Sequence, residues 1–429
     1  MKAKAGSMTL WKWMLGALAV GGAMLPTSAA PPRTVLRVAA HYNAKQAAPL
    51  LACFRRYEAT HPDVRIDYQQ VSYRDYLQTA LISRVGRSPV DIYNLYSVWA
   101  PQLVGVGALD RPPPAVEEFV RAAYTPATVD AVAIGGRLWG VPSAVSVYQL
   151  VYNRRLIAAA GFREAPRTWR ELMQTGAATV RRNRQGNVVL GGYAFGNTTA
   201  NVAHTFYAQM FAAGVPPFTA DGRGTNLRSP AAARIVGDQA ALFRRGVTSH
   251  AMTTGNFAGR AAAMTVLANW QKASLMEAFG DRFADEVGVA PIPTDGPGGT
   301  MIYSFFWGVD SASPSRPQAW ALIRWLNAAR GSDGLSCAGR LLAGMGDLTG
   351  NRRDLAAMRD RLTDPFSRGF VAALAAPGAR PQANLWHAEE VDRVLKYHIE
   401  LAWHGRMPPA AALAAADREI RAILAEQPQ

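Results

Sequence analysis

From residue 34 onward the chain alternates short apolar runs with amphipathic ones. Residues 34–40 (TVLRVAA) form a β-rich apolar run. Residues 47–59 carry Leu50, Leu51, Phe54 and Tyr57 at helical spacing, with Arg55, Arg56 and Glu58 on the other side. Val64, Ile66 and Tyr68 alternate as in a half-buried strand over 64–71. Residues 73–85 then predict a helix and 90–95 a third strand. A β-α-β-α-β order predicts a mostly parallel sheet covered by helices, in which ligands bind beyond the carboxyl ends of the strands. Those ends fall at 40–43 (AHYN) and 94–97 (NLYS).

The pattern restarts after Gly135. Residues 141–152 form a long extended run with one proline and no charged side chain, either a core strand or a passage between two parts of the molecule. Thr168 and Glu171 read as a capping box opening a helix to about residue 180. Ser229-Pro230 is an N-cap with proline at the first helical position, opening a helix over 231–244. Strands are expected at 261–267, 286–292 and 301–309, the last two separated by 293–300 (PTDGPGGT). Helices are expected at 316–329, 352–362, 388–403 and 410–424. The chain shows no repeat at a solenoid period and no long low-complexity linker, so two closely joined α/β lobes are expected.

Composition adds three constraints. The 429 residues suffice for two domains, and 49% of them are hydrophobic, as in a globular chain. Lys2, Lys4 and Lys12, the apolar run 14–25 and the small residues before Ala29 form a signal peptide over 1–29, with Met8 an alternative start. The protein is therefore expected to be exported, with cleavage near Ala29 and a periplasmic location. Formal charge is +15, and without the three signal lysines it is +12. The arginines are scattered, no run of five like charges occurs, and export argues against a nucleic-acid partner. Cys53 and Cys337 could pair in an oxidising compartment, or Cys53 could remain a buried thiol on its helix face.

Catalytic signatures are missing: there is no GxSxG, HExxH, GxxxxGK[ST] or CxxC, and neither a metal nor a cofactor is expected. Adjacent acids such as Asp285-Glu286 diverge, whereas glycoside hydrolysis needs two carboxylates facing one sugar. Aromatic residues instead gather at predicted loop edges: Tyr42, Tyr96, Trp99, Tyr148, Tyr193, Phe195, Trp270, Phe305, Phe306, Trp307 and Trp386. Aromatic faces pack on the C–H faces of sugars, and nearby Asn, Ser and Gln can meet the hydroxyls.

At this point the chain resembles the extracellular solute-binding proteins of carbohydrate ABC importers, the maltose- and glycerol-phosphate-type receptors. The motifs are 54–58 (FRRYE) with 61–64 (HPDV), 88–92 (SPVDI), 107–110 (GALD), 136–142 (GRLWGVP), 150–153 (LVYN) with 160–162 (AGF), 166–172 (PRTWREL), 257–270 and 289–293 (VAPIP). Residues 347–351 (DLTGN) depart from the family's proline-containing run there. The resemblance implies an α/β, two-lobe flytrap fold with hinge crossings, one of them at 141–150. It implies an N-terminal lobe of 31–143 plus 288–332 and a C-terminal lobe of 144–287 plus 333–429.

By that resemblance the protein is a monomer that captures a sugar, oligosaccharide or polyol by hinge closure and delivers it to the membrane permease subunits of an ABC transporter. Closure draws on contacts made only when the lobes are shut. The implied ligand-binding residues are Trp270, Trp386, Tyr42, Asn43, Tyr96, Ser97, Ser146, Tyr148, Tyr193, Ser304 and Phe305, with Trp270 stacking on a sugar ring. Two alternatives stay open: a phosphorylated solute such as a glycerol-phosphate ester, and a secreted carbohydrate-active enzyme.

Overall fold

The computed structural model describes residues 33–83 and 90–426. The signal segment, Ser88-Pro89 and the end of the helix expected over 73–85 lie outside the described residues. Nine strands share one sheet system: β1 Thr34–Ala40, β2 Val64–Gln70, β3 Ile92–Tyr96, β4 Val141–Asn153, β5 Met264–Ala268, β6 Val287–Ala290, β7 Thr300–Val309, β8 Leu348–Thr349 and β9 Ala379–Pro381. The helices that matter for the site are α1 Ala44–Thr60, α2 Tyr76–Ser83, α3 Ala100–Gly105, α4 Trp169–Thr179, α5 Thr199–Ala212 and α6 Pro230–Arg244. In the last third of the chain they are α7 Arg316–Ala328, α8 Cys337–Met345, α9 Pro365–Ala375, α10 Ala388–Trp403 and α11 Pro409–Ala425.

The strand order is β2-β1-β3-β7-β4, with β8 on the far edge of β4. The expected parallel arrangement holds for β1 with β2 and for β1 with β3. Beyond β3 it does not: β7 runs antiparallel to β3, and β4 antiparallel to β7. The sheet is thus mixed.

Strand β4 explains its own composition. Its first half lies between β7 and β8, with Val147 opposite Ile302 and Val145 opposite Leu348. Its second half lies between β5 and β6, with Tyr148 opposite Ala268 and Leu150 opposite Ala290. Twelve of its thirteen residues are buried. A strand paired on both edges and covered on both faces reads as a continuous uncharged run, not as an alternating one. β4 is at once a core strand and the passage between two lobes.

The change of partners at Val147-Tyr148 leaves backbone groups that no strand can meet, and side chains meet them. Val147 N donates to Asn269 Oδ1 (2.8 Å), and Asn269 Nδ2 donates to Val145 O (3.1 Å). On the opposite edge Thr300 Oγ1 donates to Tyr148 O (2.6 Å). A buried amide or carbonyl left unpaired would cost about 1–3 kcal/mol, so this junction is held as firmly as the ladders beside it.

The first lobe packs α1, α7 and α8 around its strands; the second packs α9 on β6 and groups α5, α6, α10 and α11. A disulfide joins Cys53 on α1 to Cys337 on α8, 284 positions apart. The disulfide ties α8 to α1, and β8 pairs with β4 at Ala144-Val145.

Local starts follow their caps. Ser229 Oγ accepts from Ala232 N at the head of α6, as expected. Thr168 Oγ1 accepts from Glu171 N (3.2 Å), but the Glu171 carboxylate reaches back to Arg167 N (2.7 Å) and not to the cap residue itself. Helix α5, absent from the sequence reading, is buried nearly all round, so it has no polar stripe to reveal its period.

Candidate functional site

Where the two lobes meet, the end of β3 and the middle of β4 and β7 present one continuous aromatic lining. Tyr96 stacks on Phe305 (5.3 Å between centroids, 27° between planes) and meets Tyr303 edge-on at 4.9 Å. His41 lies 4.6 Å from Phe305, and Tyr73, itself 46% exposed, lies 5.2 Å from Trp99. From the second lobe come Tyr148, 6.3 Å from Tyr303, and His204 on α5, 5.7 Å from Tyr303.

Polar groups converge on the same place. The Tyr148 hydroxyl hydrogen-bonds His204 Nδ1 (3.0 Å), and Asp392 Oδ2 lies 3.4 Å from His204 Nε2. The Tyr207 hydroxyl donates to Asp392 Oδ1 (2.7 Å). One turn earlier on α10, Glu389 Oε1 accepts from Trp99 Nε1 across the lobe boundary (2.7 Å). The Tyr303 hydroxyl faces Ser146, Trp270 and Tyr148, and burial pushes it up to about 12. Burial likewise holds the His41 imidazole down at about 4, so it is neutral at physiological pH.

The residues expected at the site divide into three groups. Tyr96, Tyr148, Ser146 and Phe305 lie in this lining, and Trp270, 43% exposed on the turn after β5, sits at its rim beside Tyr303. Tyr42 lies beneath it, buried with its ring 4.3 Å from His41. Ser97 supports from behind, its Oγ accepting from Ser304 N (3.2 Å).

Four expected residues are occupied elsewhere. Asn43 caps α1, accepting from Gln46 N while Gln46 bonds back to Asn43 N. Tyr193 is core of the second lobe, packed on Phe195 at 4.7 Å. Ser304 is fully buried and donates to Ala144 O (2.9 Å), a contact between strands. Trp386 is buried against Gly105, where an added Cβ would come within 2.2 Å of the indole. Only glycine in α3 allows that approach.

The sequence reading missed His41, Tyr73, His204, Tyr207, Tyr303, Glu389 and Asp392. His204 and Tyr207 went with α5. Glu389 and Asp392 are polar residues of an amphipathic helix, and three-residue spacing does not tell which of them faces a site.

Beneath the lining, Asp347 accepts from Asn269 Nδ2 and from Leu348 N (2.8 Å), and burial pushes its carboxyl up to about 7. Because the folded state holds this proton more tightly than the unfolded chain, the contribution to stability is complete below about pH 4 and is lost as pH rises to 7. Asp347→Asn keeps the acceptor and removes the charge. The variant is expected to unfold at higher urea than the wild type at pH 8, with the gap closing by pH 4. The slope is at most about 1.4 kcal/mol per pH unit. Parallel curves at all pH values would refute this.

Comparisons with known proteins bear on this geometry. Residues 39–332 match the bacterial extracellular solute-binding protein family. A binding protein of Brucella abortus (strain 2308) is 22% identical over 251 residues, 58% of this chain and 59% of the relative. An ABC transporter-binding protein of Deinococcus radiodurans is 25% identical over 254 residues, 57% of this chain and 59% of the relative. The matches thus span somewhat over half the length of these curated relatives.

Among solved structures, the cyclic alpha-maltosyl-1,6-maltose binding protein of Arthrobacter globiformis superposes with a TM-score of 0.75 at 23% identity, covering 91% of this chain and 99% of its own. The sugar-binding protein MalE of Xanthomonas citri gives 0.75 at 18% identity, covering 92% and 98%. At such identities the likeness is one of fold.

Proposed function

Since this chain belongs to the bacterial extracellular solute-binding proteins, we propose that it captures a sugar, oligosaccharide or polyol between its lobes and delivers it to an ABC transporter permease. The observation that carries the proposal is the aromatic lining shared by both lobes, with Tyr148, His204, Tyr207 and Asp392 supplying donors and acceptors at its centre. Flat rings take the apolar faces of a pyranose, while hydroxyls and a carboxylate take its hydroxyl groups. The solved structures of like fold at 91–92% coverage carry maltose- and sugar-binding names, which supports the same reading.

The lining also separates the alternatives. Among the described residues, no lysine or arginine is bonded to Asp392 or Glu389, and the groups bonded to them are Tyr207, His204 and Trp99. That favours a neutral solute over a phosphate ester, which needs converging cations. Glu389 and Asp392 project from one face of one helix and do not flank a bond from opposite sides, so the enzyme reading lacks its pair of carboxylates. The family and the matched structures are binding proteins. The disulfide fits an exported protein in an oxidising compartment.

The test is a thermal-shift screen against neutral saccharides, polyols and their phosphates. A solute at 100 times its dissociation constant stabilises by about 2.7 kcal/mol. Hits among neutral saccharides support the proposal; hits confined to the phosphates, or turnover of a hit, refute it.

A further inference from the structure

Strand β9 ends at Pro381, and its register against β7 fixes where the next side chain points. Thr300 pairs with Ala379, Met301 with Arg380 and Ile302 with Pro381, in parallel. Gln382 continues that ladder, its N–H donating to Ile302 O (3.1 Å). Side chains opposite each other in parallel strands share a face, so Gln382 lies on the same side of the sheet as Tyr303. On the other edge of β7, Tyr303 is opposite Ser146. Ser146, Tyr303 and Gln382 therefore form one row across the floor of the lining, on three neighbouring strands.

The Gln382 side chain is 8% exposed, yet neither its Nε2 nor its Oε1 has a partner among the described residues. It projects into a crevice lined by Ser97, Val98, Ala131, Ile302 and Asn384. The walls are fixed: Asn384 Nδ2 donates to Ala133 O (2.7 Å), and Ser97 Oγ holds Ser304 N. Two unmet buried polar atoms cost about 1–3 kcal/mol each, and an apolar side chain of the same length would avoid that cost.

We infer that Gln382 is a specificity-determining residue of the solute site, whose carboxamide reads a pair of adjacent hydroxyls on the sugar or polyol. One end of the amide donates and the other accepts, the complement of a vicinal diol, in which each hydroxyl does both. In this binding mode a ring face lies on the aromatic lining while the diol reaches the Gln382 carboxamide on the same face of the sheet. This rests on the proposed sugar-binding function.

The experiment compares wild type, Gln382→Leu and Gln382→Met in calorimetric titrations with maltose, maltotetraose and mannotriose, beside urea unfolding of each protein alone. Both variants are expected to bind about tenfold to a hundredfold more weakly, the loss of two hydrogen bonds. Both are expected to unfold at equal or higher urea than the wild type without saccharide. Unchanged saccharide affinity in either variant overturns the inference while leaving sugar binding intact. Lower stability in both variants overturns it too, because the amide would then be a paired structural group. Wild type binding neither these three nor any neutral saccharide or polyol of the thermal-shift screen removes the sugar reading, and the inference with it.

Discussion

Asn269→Ala is expected to unfold the protein at markedly lower urea, with a loss of about 3–6 kcal/mol. Few residues carry so much on one side chain. The Asn269 carboxamide accepts from Val147 N, donates to Val145 O and donates to the Asp347 carboxyl. All four residues are buried. Alanine would leave an amide and a carbonyl unmet, and the Asp347 carboxyl with Leu348 N alone, where β4 passes from one lobe to the other, and no neighbouring strand is positioned to replace Asn269. A drop of less than about 1 kcal/mol, the worth of one solvated hydrogen bond, would show that water fills the junction readily.

Trp270→Ala is expected to weaken solute binding about thirtyfold to hundredfold while leaving the unfolding midpoint nearly unchanged. The indole is 43% exposed, so its removal opens no cavity, and it stands at the rim beside the Tyr303 hydroxyl. An aromatic side chain that a bound ring covers is worth about 2 kcal/mol or more when truncated. Calorimetric titration of the hit from the saccharide screen, wild type against variant, decides the matter. Equal affinities would remove Trp270 from the site. The contrast between the two substitutions is itself informative: adjacent residues of one turn, one holding the passage between lobes and the other facing the solute.

Much of this fold could be read from the sequence wherever burial is one-sided or a cap is spelled out. β1 and α10 have the expected bounds, and Ser229 opens α6 as its pattern says. The uncharged run in β4 announced a strand of unusual burial. What escaped was decided by tertiary packing. α5 is buried on all sides and so lacks a period, which hid His204 and Tyr207. Tyr193 follows a short bridge and Ser304 lies inside β7, and the second-lobe core and the pairing with β4 claim them. Asn43 shows the reverse ambiguity, since a polar residue after a strand serves equally as the cap of the next helix. The pairing of Cys53 with Cys337 depends on α8 returning to α1, which no local signal states.

The central claim is that solute binds between the lobes and touches both. Hydrogen–deuterium exchange with and without the hit saccharide tests it most directly. Slower exchange is expected on solute addition in the first-lobe segment after β3, around Tyr96, and in two second-lobe segments, α5 near His204 and the first turns of α10 near Asp392. Protection confined to one lobe, or lying away from these segments, would contradict capture between the lobes.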